Sequence, residues 1–482
     1  MKWRLDPIRE PQPMAANAPP LTPAQFMAQE IKAFRDDPRT LRVAPKVSSA
    51  EIRRRLEPYT FAHQVPLAEA LRDVADMLRH WTLHATHPRY FGLFVPGVHE
   101  AGIWADTLAA LYNPQLGAWW HAPAASEIET HTLQFLSKAI GYEAGAAHFT
   151  SGASEANLTA LLVAVATAYP RAIEDGVGEG AARGAVYVSS QAHHSMHKAV
   201  RVAGLGNRVL RTIPCNARHQ MDLQALRVTV ATDVASGRTP LMIVGTIGTT
   251  TSGAIDDLVG IAEIARAHSA WFHVDAAWGG AAGFSEQLRP HLRGIARADS
   301  VTWDAHKWLS VPMGAGMFFC RRPDVLRTLF DVETAYVPKE TDEGDDLYRM
   351  SLQWSRRFIG LKVFLTLAVV GQGGVAARVE RQLGVADYLR QRLVRAGWTI
   401  MNQSPLPLVC FTHKTLKQPD AVALVARQVA VRGRAWISPA SLPEGPVLRA
   451  CITHDDSTRA DIDVLCVELE RALEKVSAPR GR

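Results

Sequence analysis

Asp299-Ser300-Val301-Thr302-Trp303-Asp304-Ala305-His306-Lys307-Trp308 is the stretch from which the rest of the chain is read. A short apolar, strand-like run leads into a His-Lys pair, and the small residues Met313-Gly314-Ala315-Gly316 follow. A lysine so placed stands at a strand end, where it can be pressed into a cleft. Burial disfavours its ammonium form and lowers its pKa. A neutral amine attacks an aldehyde, so such a lysine suits a Schiff base. The same pair also occurs in solvated loops, and three segments upstream decide between the two.

The first is Phe272-His273-Val274-Asp275-Ala276-Ala277-Trp278, a buried strand with Asp275 at its C-terminal end. Open α/β sheets bind ligands outside the carboxyl ends of their strands. A carboxylate there can pair with a protonated ring nitrogen, as the electron sink of pyridoxal phosphate (PLP) requires. The alternative is a helix N-cap before Ala276. The second segment is Thr150-Ser151-Gly152-Ala153-Ser154-Glu155-Ala156-Asn157, which opens an apolar helix. A helix N-terminus binds phosphate through free N–H groups and its dipole, and Ser154 is placed as both cap and ligand. An ordinary capped helix is the alternative. No Gly-Lys-Ser/Thr sequence marks a nucleotide loop here. The third segment, Val186-Tyr187-Val188-Ser189-Ser190-Gln191-Ala192-His193-His194-Ser195-Met196-His197, ends a strand in a histidine cluster. An imidazole there can stack on a planar ring. Metal binding by His193 or His194 with His197 is the rival, as is a solvated cluster. Neither a His-Glu-x-x-His motif nor a Cys or carboxylate set completes a site, so no metal is expected.

Together these segments resemble the group II PLP-dependent decarboxylases, and within them the aromatic-L-amino-acid branch. The resemblance runs from about His87 to Gly371, with a looser echo at Val447-Leu448-Arg449. It is carried by His87-Pro88-Arg89-Tyr90-Phe91, Pro123-Ala124-Ala125-Ser126-Glu127-Ile128-Glu129, Gln191-Ala192-His193, Gly248-Thr249-Thr250-Thr251, His273-Val274-Asp275-Ala276-Ala277 and His306-Lys307-Trp308. It implies that Lys307 forms the Schiff base with PLP, that His306 lies near the phosphate, and that Asp275 pairs with the pyridine nitrogen. By the same resemblance Ala277 packs on the ring, His193 stacks on its other face and acts on substrate, Ala153 and Ser154 hold the phosphate, and Thr246 lies beside the cofactor. Asp304 stands where many relatives have a phosphate-contacting Asn; a carboxylate there is repulsive unless protonated or offset by donors.

The implied reaction is decarboxylation of an L-amino acid, aromatic by the pocket segments, to the amine and CO2. Tyr336, in Glu333-Thr334-Ala335-Tyr336-Val337-Pro338-Lys339, matches the tyrosine that returns a proton to the substrate carbon. The acidic run from Glu340 to Asp346 reads as a surface loop. Phe94 and Pro96 are expected at the substrate, as are Trp119 and Ser355, which the resemblance places in a partner subunit's site. Arg449 is a candidate for the α-carboxylate, with a structural ion pair as the alternative. Other readings are an oxygen-consuming aromatic aldehyde synthase, a glutamate or cysteine-sulfinate type decarboxylase, and a PLP-free scaffold. The intact Lys307, Asp275 and His193 argue against the last.

Composition sets the bounds. The chain has 482 residues, 47% apolar and 21% charged, as a soluble multidomain protein has. Its net charge of +6 is modest and its arginines are scattered, so no nucleic-acid partner is expected. Five cysteines without regular spacing point to reduced thiols in a cytoplasm. No apolar leader or membrane span is expected. Alternating strand-like and helical runs from residue 88 to 370 point to an α/β fold. The resemblance makes it PLP fold type I: a mainly parallel seven-stranded sheet with helices on both faces. Three parts are expected: a helical N-terminal arm over 1–87 that clasps a partner in a homodimer, a PLP-binding domain over 88–374, and a small α/β domain over 375–482.

Overall fold

The computed structural model describes residues 21–36, 38–332 and 344–477. Tyr336 lies outside them. The chain forms two compact units. One comprises Phe94–Gly384 with Asn402–Leu408; the other takes the described residues up to Leu93, Val385–Met401 and those from Val409 onward. The divisions at Leu93/Phe94 and Gly384/Val385 thus lie beyond the expected 87/88 and 374/375, the segment Asn402–Leu408 returns to the first unit, and the N-terminal helices group with the C-terminal segment.

The first unit is built on seven strands: β1 (Ala146–Thr150), β2 (Gly184–Ser189), β3 (Leu210–Ile213), β4 (Thr239–Thr246), β5 (Trp271–Asp275), β6 (Ser300–Asp304) and β7 (Gly316–Cys320). Their order in the sheet is β1-β7-β6-β5-β4-β2-β3. Every pairing from β6 to β3 is parallel, and β7 runs antiparallel to both β6 and β1. The strands read as continuous apolar runs because both faces are covered by helices. Every residue of β2 is buried, as is every residue of β4 after Thr239. The helix Ala153–Ala168 supplies small and branched residues to this core, among them Ala156, Ala160 and Val163. Crossover helices are capped where the sequence provides a carboxylate: Asp222 accepts the Gln224 and Ala225 N–H groups, and Asp257 accepts that of Gly260.

Parallel strands bring their C-terminal ends to one edge. Thr246 is in register with Asp275, and Asp275 with Thr302, two residues before the end of β6. The antiparallel return into β7 pairs Asp304 with Gly316. The turn between them, which carries Lys307, is thus held on that edge.

The apolar runs of the sequence predict strands over 185–189, 208–212, 241–247, 271–274, 299–303 and 316–320, and these correspond to β2–β7, each within two residues at either end. β1 was not expected: Ala-Ala-His-Phe-Thr has little β-branched or alternating character, and its pairing with β7 supplies the strand state. The helix Glu100–Tyr112 was also unexpected. The helix Gly360–Arg395 is long and apolar enough to cross a membrane by length and composition alone. It is broken at Gly371, where φ is 70° and ψ 162°, and Lys362 and Arg378 are buried within it. Its first straight part spans only about 16 Å, half a bilayer core.

The other unit has a four-stranded sheet in the order β10-β11-β9-β8, from β8 (Thr399–Ile400), β9 (Leu408–Thr412), β10 (Ser438–Leu442) and β11 (Gly445–Cys451). Its helices include Pro23–Asp36, Ser49–Leu56, opened by a Ser48/Glu51 capping box, and Leu67–Trp81.

A buried ion pair sets part of the first unit. Arg356 Nη2 meets Glu129 Oε1 at 2.6 Å, with the side chains 2% and 0% exposed. The Arg356 carbonyl accepts the Leu116 N–H at 3.0 Å, so the segments carrying Ser355 and Trp119 are tied together on the helix Pro123–Ala139. Arg356→Ala should leave Glu129 charged and unpaired and lower stability by about 3–5 kcal/mol in urea unfolding. A loss under 1 kcal/mol would show that water or a neighbour replaces the guanidinium.

Candidate active site

Four strand ends and one helix end converge at the carboxyl edge. Lys307 sits in the short helix Ala305–Trp308 directly after β6. Its Nζ meets Asp304 Oδ2 at 2.9 Å, with the lysine side chain 22% exposed. The amine is therefore ion-paired and partly open, not enclosed by apolar groups as the sequence led us to expect. The same Asp304 oxygen lies 3.7 Å from His306 Nε2. Burial pushes the His306 imidazole below its usual pKa, with Asp304 opposing. Its Nδ1 accepts the Ala315 N–H at 3.2 Å, which leaves the ring proton of the neutral form on Nε2, toward Asp304. Asp304 Oδ1 is buried without a hydrogen-bond partner.

Asp275, 6% exposed, ends β5. Its Oδ1 accepts the Ala277 N–H and its Oδ2 the Asn157 side-chain amide, both at 3.0 Å. The Ala277 carbonyl in turn accepts the Asp304 N–H at 3.0 Å. Ala277 thus ties the two carboxylates into one frame. Asp275 is a strand-end carboxylate held by an amide and not a helix N-cap. Next to it, the Thr246 N–H donates to Asp256 Oδ2 at 2.9 Å, and Thr246 Oγ1 is buried without a partner.

His193 follows β2. Its Nδ1 accepts the Ser195 N–H at 3.2 Å, so the neutral ring carries its proton on Nε2. The residue is exposed to solvent, yet desolvation by the surrounding protein pushes its pKa down, with Asp275 opposing and Lys307 adding to the depression. His194 and His197 stand ring to ring at 5.6 Å, and among the described residues no three His, Cys, Asp or Glu side chains group to hold a metal ion.

The helix Ala153–Ala168 begins without a side-chain cap. Its N-cap is Gly152, and Ser154 lies in the first turn, exposed, which corrects the expectation that Ser154 is the cap. The uncapped end faces the lysine segment: a Cβ on Gly152 would lie 3.6 Å from His306 Cε1. A Cβ on Gly316 would come within 2.5 Å of Gly152 Cα, so only glycine permits this approach.

The substrate residues divide. Phe94 stacks on Trp278 at 4.3 Å between centroids, and Trp278 on Trp308 at 5.5 Å, so an aromatic stack runs up to the residue after Lys307. Trp278, next to Ala277 in sequence, was overlooked in the sequence although it directly follows the Asp275 motif. Pro96 is buried. Trp119 has its partners elsewhere: its N–H donates to Asp346 Oδ1 and its indole to Glu127 Oε1, each at 2.8 Å. Ser355 is exposed. Arg449 belongs to the other unit, where Nη1 donates to Gly92 O at 2.6 Å and Ser438 Oγ at 3.4 Å.

A lysine amine, a fixed carboxylate, an imidazole with a known tautomer and an uncapped helix end, gathered at the carboxyl edge of a mostly parallel sheet, define an α/β enzyme of the Schiff-base, phosphate-anchored cofactor class. Orphaned oxygens on Thr246 and Asp304 and the glycine cradle at Gly152 and Gly316 fit such a group. The sequence matches the pyridoxal-dependent decarboxylase conserved domain over residues 51–414. It is 30% identical over 406 residues to aromatic-L-amino-acid decarboxylase of Bacillus atrophaeus, covering 82% of this chain and 83% of that one. It is 31% identical over 356 residues to acidic amino acid decarboxylase GADL1 of Homo sapiens, covering 72% and 67%. The structure of Oryza sativa TDC with PLP and tryptamine superposes with a TM-score of 0.88 at 23% identity, covering 95% of this chain and 99% of that one. The chain belongs to the pyridoxal-dependent decarboxylase family, and it is a PLP-dependent amino acid carboxy-lyase.

Buried histidines give the sheet unit a defined pH response. Burial pushes His148 from 6.5 down to about 3, and His273 from 6.5 down to about 4 with Asp275 opposing. Below 6.5 the unfolded chain binds protons that the folded one refuses, so this stability is full above 6.5 and is lost as pH falls toward 4. Asp256 acts oppositely. Burial raises it from 3.8 to about 6, so its contribution is full below 3.8 and is lost as pH rises through 6. Two imidazoles outweigh one carboxyl, and the urea midpoint of the cofactor-free protein should fall between pH 6.5 and 4. A midpoint that rises over that interval would mean the histidines are protonated in the fold.

Proposed function

We propose that this decarboxylase acts on aromatic L-amino acids, releasing the amine and CO2, as a homodimer whose subunits share their active sites. The observation that carries the substrate class is the make-up of the two segments expected at the substrate, around Phe94 and Trp119, which are apolar and aromatic. Side chains of that kind favour flat apolar substrates. An acidic side chain would need a cation, and Phe94-Val95-Pro96-Gly97 and Leu116-Gly117-Ala118-Trp119-Trp120 contain neither Lys nor Arg.

Bound PLP supplies the electron sink into which the bond to the carboxylate breaks. Lys307 would hold the cofactor, and Asp275 would pair with its ring nitrogen. His193, whose neutral ring carries its proton on Nε2, would stack on the ring and act on the substrate, with Ala277 packing on the ring. The first N–H groups of the helix at Ala153 and Ser154 receive the phosphate, with His306 beside them. Thr246 Oγ1 is a donor to the cofactor. Tyr336 returns the proton to the substrate carbon; its support is the sequence alone.

Two helices present uncovered apolar faces that support the dimer. Trp104, Leu108, Leu111 and Tyr112 are 44%, 41%, 73% and 77% exposed on Glu100–Tyr112. Leu67, Val74 and Leu78 are 63%, 43% and 58% exposed on the Leu67–Trp81 helix expected to clasp a partner. Such stripes mark interfaces. Trp119 and Ser355 are the residues the partner contributes.

A panel of amino acids assayed for CO2, amine and H2O2 tests the reaction. Aromatic substrates should yield CO2 and amine in equal amounts without peroxide. Tyr336→Phe removes the proton source, and the substrate carbon should then react with O2 to give aldehyde, ammonia and H2O2. Peroxide from the unmodified enzyme would make it an aldehyde synthase; turnover confined to acidic substrates would remove the aromatic reading. Sharing of sites is tested separately. Lys307→Ala and Trp119→Ala are each expected to be inactive. Mixed and allowed to exchange, they should recover about a quarter of native activity, because half the dimers are hybrids and each hybrid rebuilds one of two sites. No recovery in demonstrated hybrids would place Lys307 and Trp119 in the same subunit's site.

A further inference from the structure

A line of buried polar side chains runs behind Asp275. Trp271, His273 and Asp275 alternate along β5 and so face one side of the sheet. That side is covered by the helix Ala153–Ala168, from which Asn157, with no exposed surface, reaches all but the first of them. Asn157 Nδ2 donates to Asp275 Oδ2 at 3.0 Å and to Ser195 Oγ at 2.9 Å, using both of its protons. Its Oδ1 meets His273 Nε2 at 3.0 Å. His273 Nδ1 meets Ser300 Oγ at 2.8 Å, and the Trp271 indole N–H donates to the same Ser300 oxygen at 2.8 Å.

The direction of every bond in this line follows from its two ends. An ionised carboxylate only accepts, so the Asn157 amide must turn its nitrogen to Asp275 and its oxygen to His273. His273 then carries its proton on Nε2. Neutral, as its burial requires, it has a bare Nδ1 that takes the Ser300 hydroxyl proton, and Ser300 accepts from Trp271, whose indole can only donate. Thr302 Oγ1, 3.4 Å from His273 Nε2, is a second acceptor for the same ring proton. A line of this kind inside an apolar layer costs desolvation that hydrophobic residues would not, unless each group is satisfied.

We infer that Asn157 is a positioning residue for the reaction: backed by the Trp271–Ser300–His273 line, it fixes the orientation of Asp275 through a neutral donor. The choice of neutral donors matters. An Arg or Lys bonded to Asp275 would compete with the cofactor's ring proton for the carboxylate. An amide and a backbone N–H steady the carboxylate and leave its negative charge for the ring nitrogen. The inference rests on Asp275 being the ring partner, and its test separates the two claims.

The holoenzyme is prepared with PLP labelled with 15N at the ring nitrogen, and the nitrogen chemical shift reports protonation directly. In the unmodified enzyme the signal should lie in the pyridinium range. Asn157→Ala should move it toward neutral pyridine and lower kcat about 100-fold, as small misplacements at a reacting centre do, with KM changed less than threefold. His273→Phe, which removes the bond that fixes the amide's orientation, should give a shift in the same direction but smaller. Asp275→Asn is the control and should give the full shift. If Asp275→Asn leaves the signal in the pyridinium range, Asp275 is not the ring partner and the site assignment fails. If Asp275→Asn moves it but Asn157→Ala and His273→Phe do not, the positioning role alone is overturned, and Asn157 only fills space. Should Asn157→Ala not fold, His273→Phe decides by the same shift.

Discussion

Asp275 is a carboxylate drawn almost wholly out of water at the end of β5, and a carboxyl group so placed is costly unless donors satisfy it. The fold supplies two neutral donors, the Ala277 N–H and the Asn157 amide. Both come from elements whose positions are fixed by the sheet. Ala277 is placed because its carbonyl bonds to the end of β6. Asn157 is placed because the helix that carries it lies on β5 and β6 with its N-terminus against Gly316 and His306. In the proposed site, the phosphate end and the ring-nitrogen end are consequently served by two parts of one helix, and neither can shift without the other.

The same helix explains why small residues recur around the site. Gly152 and Gly316 permit the strand and helix ends to touch. Ala153, Ala156 and Ala160 let the helix lie close on the sheet. Close packing shortens the reach an amide needs, and asparagine, with one methylene, is long enough. A glutamine would have to fold back on itself in the same space. Close approach of backbone and short polar side chains with few rotamers are one solution to a single requirement, a rigid set of donors.

Much of this was legible from residues alone. Lys307, Asp275, His193 and Thr246 fall at ends of strands whose apolar runs mark them plainly, and parallel strands must align their ends. The carboxylate partners were not legible. Asn157 was read only as part of a helix opening, because its role depends on which strand lies beneath the helix. The strand β1 and the helix Glu100–Tyr112 escaped for a related reason. Their sequences are weakly patterned, and tertiary pairing decides their state. Ser154 was misplaced by two positions because Ser is a preferred cap, whereas here Gly152 takes that place and leaves the end without a side-chain cap.

The two carboxylates of the site are held by opposite means. Asp275 is held by neutral donors whose character does not change during turnover. Asp304 is held mainly by Lys307, at 2.9 Å, with His306 Nε2 farther off at 3.7 Å. An ion pair is only as strong as the charge on its partner, and in the proposed reaction Lys307 is the group whose bonding changes. The lysine amine beside Asp304 answers how a carboxylate is tolerated at this position. On that proposal the hold on Asp304 would weaken whenever Lys307 held the cofactor, while the hold on Asp275, through an amide that carries no charge, would not change.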